Sequence, residues 1–315
     1  MGRWILFSRW VSLLYGLFAF SCRNALPHHR TESDKSYRTG LNVAAGNEYS
    51  YIISNETETR LELNAKKVET TKKSTTTFLY KFLQDSVGTH LLKVTYDKLH
   101  ITIKNDESEQ ESDASNPNPF DPIGKLLASI KGSSVFITLN SKGDILSITG
   151  DKEIADKILS SMNTMDAKTR EAVQQQLSKL AGEDFIKNNL APGFKLFPDS
   201  AVYVGDSWTR KSPISSDIKL DGVTTYTLRS VEDNVAKVET TSEINNTGNT
   251  VKIMGYDVSA NVKGSQKGEF TADMQTGLVT HGLSTLSVEG TIQVLGKEVP
   301  ATIKVTREIT GTKLK

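Results

Sequence analysis

Apolar and polar residues alternate with period 2 along most of this chain, which predicts a mainly β protein. The alternation begins near Leu41, where Tyr49, Tyr51 and Ile53 take turns with polar neighbours, as Leu61 and Leu63 do further on. A Thr-rich stretch, 68–77, leads into Phe78-Leu79-Tyr80-Lys81-Phe82. A turn follows at Asp85-Ser86-Val87-Gly88, and then a strand through Leu91, Lys93, Tyr96, His100 and Ile103. Thr, Val, Ile and Tyr suit a pleated, half-buried surface. Residues 134–150 predict a hairpin: Val135, Ile137 and Leu139 alternate, residues 140–144 turn, and Ile145 to Ile148 return.

The period changes to 3.6 between 151 and 191. Ile154, Ala155, Ile158, Leu159 and Met162 form one helical stripe, and Val173, Leu177 and Leu180 form another that Gly182 closes. Phe185 and Leu190 sit on a short last helix before Pro192-Gly193. A further short helix is predicted after Asp121-Pro122, an N-cap and first-turn pair. Its face is Ile123, Leu126, Leu127 and Ile130, and Gly132 ends it. Beyond Pro198 the strand pattern returns, with turns expected at Glu232-Asp233-Asn234, Asn246-Thr247-Gly248 and Thr276-Gly277.

The resulting plan is α+β with β dominant. A β-rich half at 41–150 and another at 199–315 flank a helical connector at 151–198. Ala45 to Tyr49 is echoed by Val204 to Trp208, and Tyr80 to Val94 by Tyr226 to Val238, a pattern of internal duplication. The halves are expected to join into one curved antiparallel sheet, a half-barrel, with the amphipathic helices covering one face. Residues 105–119, acidic and rich in Pro and Asn, read as a mobile loop.

The first 21 residues add an address. Arg3 and Arg9 precede an apolar run from Val11 to Phe20, and Ser21 is a small residue suited to a signal-peptidase cut. Cys22, the sole cysteine, follows directly and is the candidate lipidation site. An ordinary secretory cut after Ser21 also fits, and a retained anchor is the third reading, although the run is shorter than the roughly 20 residues a spanning helix needs. A lone cysteine at the cut favours acylation over disulfide pairing. Residues 22–40 then form a polar tether. The expected location is the cell envelope, as an outer-membrane lipoprotein facing the periplasm, with a soluble secreted or periplasmic protein as the alternative.

Charge narrows the partners. The net charge of +1 becomes −1 when residues 1–21, with two arginines and no acid, are removed. No basic surplus supports nucleic-acid binding. Catalytic signals are sparse. There is no Gly-x-Ser-x-Gly, no His-Glu-x-x-His and no Gly-rich phosphate loop. Ser216-Asp217-Ile218-Lys219 matches a Ser-x-x-Lys pattern in a strand-and-loop context, the wrong place for an acylating serine. His28, His29, His90, His100 and His281 offer no three-ligand zinc spacing, and the acids from Asp106 to Asp113 lack the regular spacing of a calcium loop. Asn55-Glu56-Thr57 and Asn245-Asn246-Thr247 are glycosylation sequons, relevant only in a eukaryotic secretory pathway. No catalytic, metal or cofactor residue is assigned, and no cofactor is expected.

The leader up to Cys22, the opening from Leu41 to Tyr51, the helical middle, Val204-Gly205-Asp206-Ser207-Trp208 and Asp273 to Val279 together resemble a family of Bacteroidota envelope lipoproteins with a domain of unknown function. The resemblance spans roughly 41–312 and brings no catalytic residue. At the level of fold the plan is similar to periplasmic carriers of lipoproteins or lipids, though fold alone does not imply function. The expectation is a non-enzymatic, lipid-anchored protein that binds a lipid, an acyl chain or a lipoprotein in an apolar cavity between sheet and helices. Trp208, Met162, Ile158 and Leu177 are the candidate lining residues. The alternatives are an envelope scaffold without a cavity and, less favoured, a hydrolase with dispersed catalytic residues.

Overall fold

In the computed structural model, residues 35–63, 66–86, 88–160, 166–215, 219–253, 256–294 and 296–315 are described. Twelve strands and four helices follow in chain order. They are β1 (Glu48–Leu63), β2 (Lys66–Ser86), β3 (Thr89–Asn105), β4 (Glu109–Asp113), α1 (Pro122–Ile130), β5 (Ser134–Asn140), β6 (Ile145–Thr149), α2 (Asp151–Ser160), α3 (Ala167–Ala181) and α4 (Glu183–Phe194). The second half adds β7 (Ser207–Ser215), β8 (Lys219–Glu232), β9 (Val235–Ile253), β10 (Tyr256–Asp273), β11 (Val279–Val294) and β12 (Lys297–Lys313).

The strands make one open antiparallel sheet in the order β6-β5-β3-β2-β1-β12-β11-β10-β9-β8-β7, with β4 paired on β3. The first and last strands therefore lie side by side at the sheet's centre. β1 and β12 pair from Tyr49↔Lys313 to Leu61↔Ala301. One meander runs outward from β1 to the β6 edge, the helices carry the chain to the β7 edge, and a second meander returns inward. The two expected halves are thus one sheet.

Alternation decides the covered face. Tyr49, Tyr51 and Ile53 of β1, Phe78, Tyr80 and Phe82 of β2, and Leu92, Val94 and Tyr96 of β3 are all buried on the side we call inner. Leu126, Leu127 and Ile130 of α1, Ile154, Ile158 and Leu159 of α2, Leu177 of α3, and Ile186, Leu190 and Phe194 of α4 join them in one cluster. Each helix hides its apolar stripe against an apolar sheet face, which neither could leave in water. In β3 the phase slips at Asp97, because Phe78 pairs with Tyr96 and Thr77 with Lys98. This bulge places Leu99 and Ile101 inward instead of His100.

Four expectations need correction. Residues 105–119 are not a loop throughout, because 109–113 form β4, in register with β3 from Lys104↔Glu109 to His100↔Asp113. Ser112 is its buried position, while Glu109 and Glu111 face solvent beside Lys104 and His100. Cross-strand charge pairing thus supports a strand where composition suggests disorder. The 246–248 turn is instead a bulge inside β9: Ala260 pairs with Asn249 and Asn261 with Thr247, which leaves Gly248 unpaired. The tether ends before residue 37, since Tyr37 bridges to Val202 and Leu41 and Val43 are buried. Finally, α4 continues through Pro192 to Phe194. A proline in the last turn removes one N–H bond and leaves the turns before it intact.

α1 begins as its sequence predicts. Asp121 accepts from the Ile123 and Gly124 backbone N–H groups at 3.0 and 2.9 Å, and Gln110 of β4 donates to it at 3.0 Å. Burial raises the Asp121 pKa, but bonds from Ser112, Gly124, Ile123 and Gln110 outweigh that and hold it below the usual carboxylate value. Its contribution is therefore present at neutral pH and lost as pH falls through the lowered folded value. Asp121→Ala should cost about 1–2 kcal/mol, the upper range for a lost cap. Denaturant unfolding at pH 7 checks the cost, and the difference from the parent should shrink below pH 4.

Candidate functional site

Strand register fixes which side chains share the inner face. Ile53 lies opposite Ile309 on one side and Thr76 on the other, and the next inward pair of β1 and β12 is Asn55↔Arg307. Ser74 of β2 flanks Asn55, and Ser284 of β11 flanks Arg307. Followed in this way from β2 to β9, the inner positions whose side chains are described carry Lys66, Lys72, Lys297, Arg307 and Lys313 and no carboxylate. The Asp and Glu residues of these strands whose side chains are described lie outward. The inner face is therefore apolar and hydroxyl-bearing, and its fixed charges are cationic.

Arg307 is the deepest of these cations. Its Nη2 donates to the Asn189 carbonyl at 2.7 Å, and Asn189 Nδ2 donates to the Phe185 carbonyl at 2.8 Å. Its Nε is sealed from solvent without an acceptor. Burial lowers its pKa to about 10, the nearby Tyr80 opposing this. A buried cation without a carboxylate partner is costly.

A cavity of about 100 Å³ adjoins this group beneath α3 and α4. Asn55, Lys72, Ser74, Lys179 and Asn189 supply its polar lining, and Phe78, Leu127 and Phe185 are among its apolar walls. His100 borders it from the neighbouring strand, but register turns the imidazole outward, where Nε2 sits 2.9 Å from Glu111.

The sequence-predicted lining residues fall in different places. Ile158 and Leu177 share the main core and do not line this cavity. Trp208 belongs to a second cluster with Phe197, Val202 and Leu228. Its ring stacks on Phe197 at 5.9 Å and on Tyr226 at 5.7 Å. Arg210, two residues on, clamps the Lys195 and Phe197 carbonyls and lies 5.4 Å from the Tyr226 ring centroid. Lys195 pairs with Asp144 and Asp199, and Lys142 with Asp199. The segment after α4 thus straps the β5–β6 turn to β7. Met162, Cys22 and the Ser-x-x-Lys serine lie outside the described residues.

Farther along the strands the inner face forms a third cluster, Ile244, Ala260, Val262, Leu286 and Val288, with Ile292 and Val305 against it. The outer face at this level carries a trough of about 680 Å³. Its row Glu69–Arg60–Thr302–Glu289–Lys263–Asn245 crosses six strands as successive register partners. Arg60 bonds Glu69 at 3.1 Å. A flat sheet would spread this row over about 24 Å, so a shared trough means the sheet is curved.

Arg307 escaped the sequence reading, although a signal existed. Val299, Ala301, Ile303, Val305 and Ile309 set the inward phase of β12, and Arg307 is the cation within it.

This is an open, helix-covered antiparallel sheet with a cationic, apolar inner face. The chain belongs to the DUF6263 family, a family of unknown function, whose profile matches residues 88–279. No curated protein matches it. Among solved structures it is similar to lipovitellin, described by its lipid–protein interactions, at 10% identity and a TM-score of 0.44, covering 86% of this chain and 25% of that one. It is similar to an outer membrane channel from Pseudomonas putida F1 at 7% identity and a TM-score of 0.24, covering 86% and 97% of the two chains. The β domain of the Bordetella autotransporter BrkA gives 8% identity and 0.22, covering 85% and 100%. The chain spans about a quarter of the lipovitellin chain it matches. Among the described residues no helix is long and apolar enough to cross a membrane.

Proposed function

We propose that this protein is a non-enzymatic, lipid-anchored component of a bacterial cell envelope that holds a hydrophobic ligand against the inner face of its sheet. The ligand is a lipid, an acyl chain or the lipid anchor of another protein. The carrying observation is the segregation of the two faces. The inner face stays apolar as far as Ile244, Val262 and Val288, while carboxylates of the same strands face outward. The leader ending at Cys22 supports the anchor.

The test is native mass spectrometry of the protein released from a bacterial envelope. A stoichiometric extra mass that passes into organic solvent supports the carrier. A clean mass after incubation with envelope lipids overturns it. The trough favours a second reading, an interaction scaffold. It is an open surface feature on the outer face, and its lining carries both signs of charge. A partner lost in high salt and retained in solvent would support that reading.

A further inference from the structure

We propose that the cleft beneath α3 and α4 binds the anionic group, a carboxylate or phosphate, of the carried ligand, so that the ligand is an anionic amphiphile. This inference rests on the carrier reading and names its ligand class. Four observations converge. The cavity of about 100 Å³ is well below the roughly 300–1,000 Å³ of a site for a whole drug-sized ligand, and suits a single polar group. Lys72 and Lys179 line it from a strand and a helix, and no carboxylate does. Asn55, Ser74 and Asn189 add side chains able to donate hydrogen bonds. Arg307 stands directly behind, next to Asn55 in register and bonded to the Asn189 carbonyl, with its Nε lacking an acceptor.

Chemistry favours an anion over a neutral group. A cation desolvated without a counter-charge is stabilised by an incoming anion, and charge-assisted bonds in such a site are stronger than neutral ones. The apolar inner face continues along the same strands, giving an acyl tail a surface beside its head group. Hydroxyl-bearing positions, Thr57 and Ser284, border this path in register.

The test uses equilibrium dialysis of the full chain, delipidated in a neutral detergent, at pH 8. The probes are laurate, dodecanol with the same chain length and no charge, and inorganic phosphate. Laurate should bind at least tenfold more tightly than dodecanol. Lys72→Gln should weaken laurate about tenfold, the loss expected for one charge-assisted bond, Arg307→Gln should weaken it severalfold by removing the positive charge behind the cleft, and both should leave dodecanol unchanged. Lys72 is exposed, so its variant tests the cleft even where Arg307→Gln fails to fold.

Equal binding of laurate and dodecanol, with both variants neutral, overturns the anionic assignment and leaves the carrier reading standing. Phosphate binding that Lys72→Gln weakens, without laurate binding, supports the anion cleft with a free ion as its source and removes the carrier reading. Failure of all three probes overturns both.

Discussion

Truncation of Phe194 to alanine should cost about 3–5 kcal/mol, the range for deleting a buried aromatic ring, and should loosen the helical cover as a unit. Phe194 is 2% exposed. It ends α4 with its ring 5.7 Å from that of Tyr80, which stacks in turn on Tyr51 at 4.4 Å. The same residue meets the β5–β6 turn through its backbone. A Cβ on Gly143 would lie 2.8 Å from the Phe194 carbonyl carbon and closer still to its oxygen. Gly143 also has a φ of 83°, a left-handed conformation that glycine adopts without penalty. Phe194 therefore joins sheet centre, helical cover and strap. Urea unfolding followed by circular dichroism measures the loss. A cost below 1 kcal/mol would mean that the helices do not close the inner face.

The sequence was legible where local chemistry decides the outcome. Alternation identified the inward residues of β1 and β2, and Asp121-Pro122 marked the start of α1. The turn at Asp233-Asn234 appears with φ of 49° and 63°, values those residue types tolerate well. Legibility failed where distant pairing decides. Nothing local in β4 announces that Glu109 and Glu111 will meet Lys104 and His100. Gly248 reads as a turn residue, and only the register with β10 makes it a bulge. The central β1–β12 pair joins the first and last strands, so no local pattern gave the strand order. The site divides in the same way. The strand phase of Arg307 was visible in the sequence, but its neighbours on α4 were not. Trp208 could be seen as a large aromatic entering a strand, and its partner Phe197 comes from the strap after the helices.

Replacing Gly264 with valine should cost about 3 kcal/mol, at the top of the range for overpacking, and should flatten the sheet at its functional end. Gly264 faces inward on β10 and pairs with Val288 of β11. A Cβ there would stand 2.9 Å from the Val288 Cα and closer still to the Ser287 carbonyl oxygen. Gly290, paired with Val262, approaches β10 in the same way, 2.8 Å from the Val262 Cα. Two glycines thus let β10 and β11 bend over each other, a device by which sheets gain curvature. Their partners Val262 and Val288 are 5% and 3% exposed and form part of the third cluster. Because backbone stands in the way, rotamer change cannot relieve the clash, and the strands must separate. Lys263→Val is the control. It adds the same side chain one residue away on the exposed outer face and should stay within about 0.5 kcal/mol of the parent. Urea midpoints compare the two variants, and amide exchange at Val262 and Val288 locates the damage. Faster exchange in Gly264→Val alone would tie curvature to the apolar inner surface. Equal stability of the two variants would mean that the glycines are incidental to the bend.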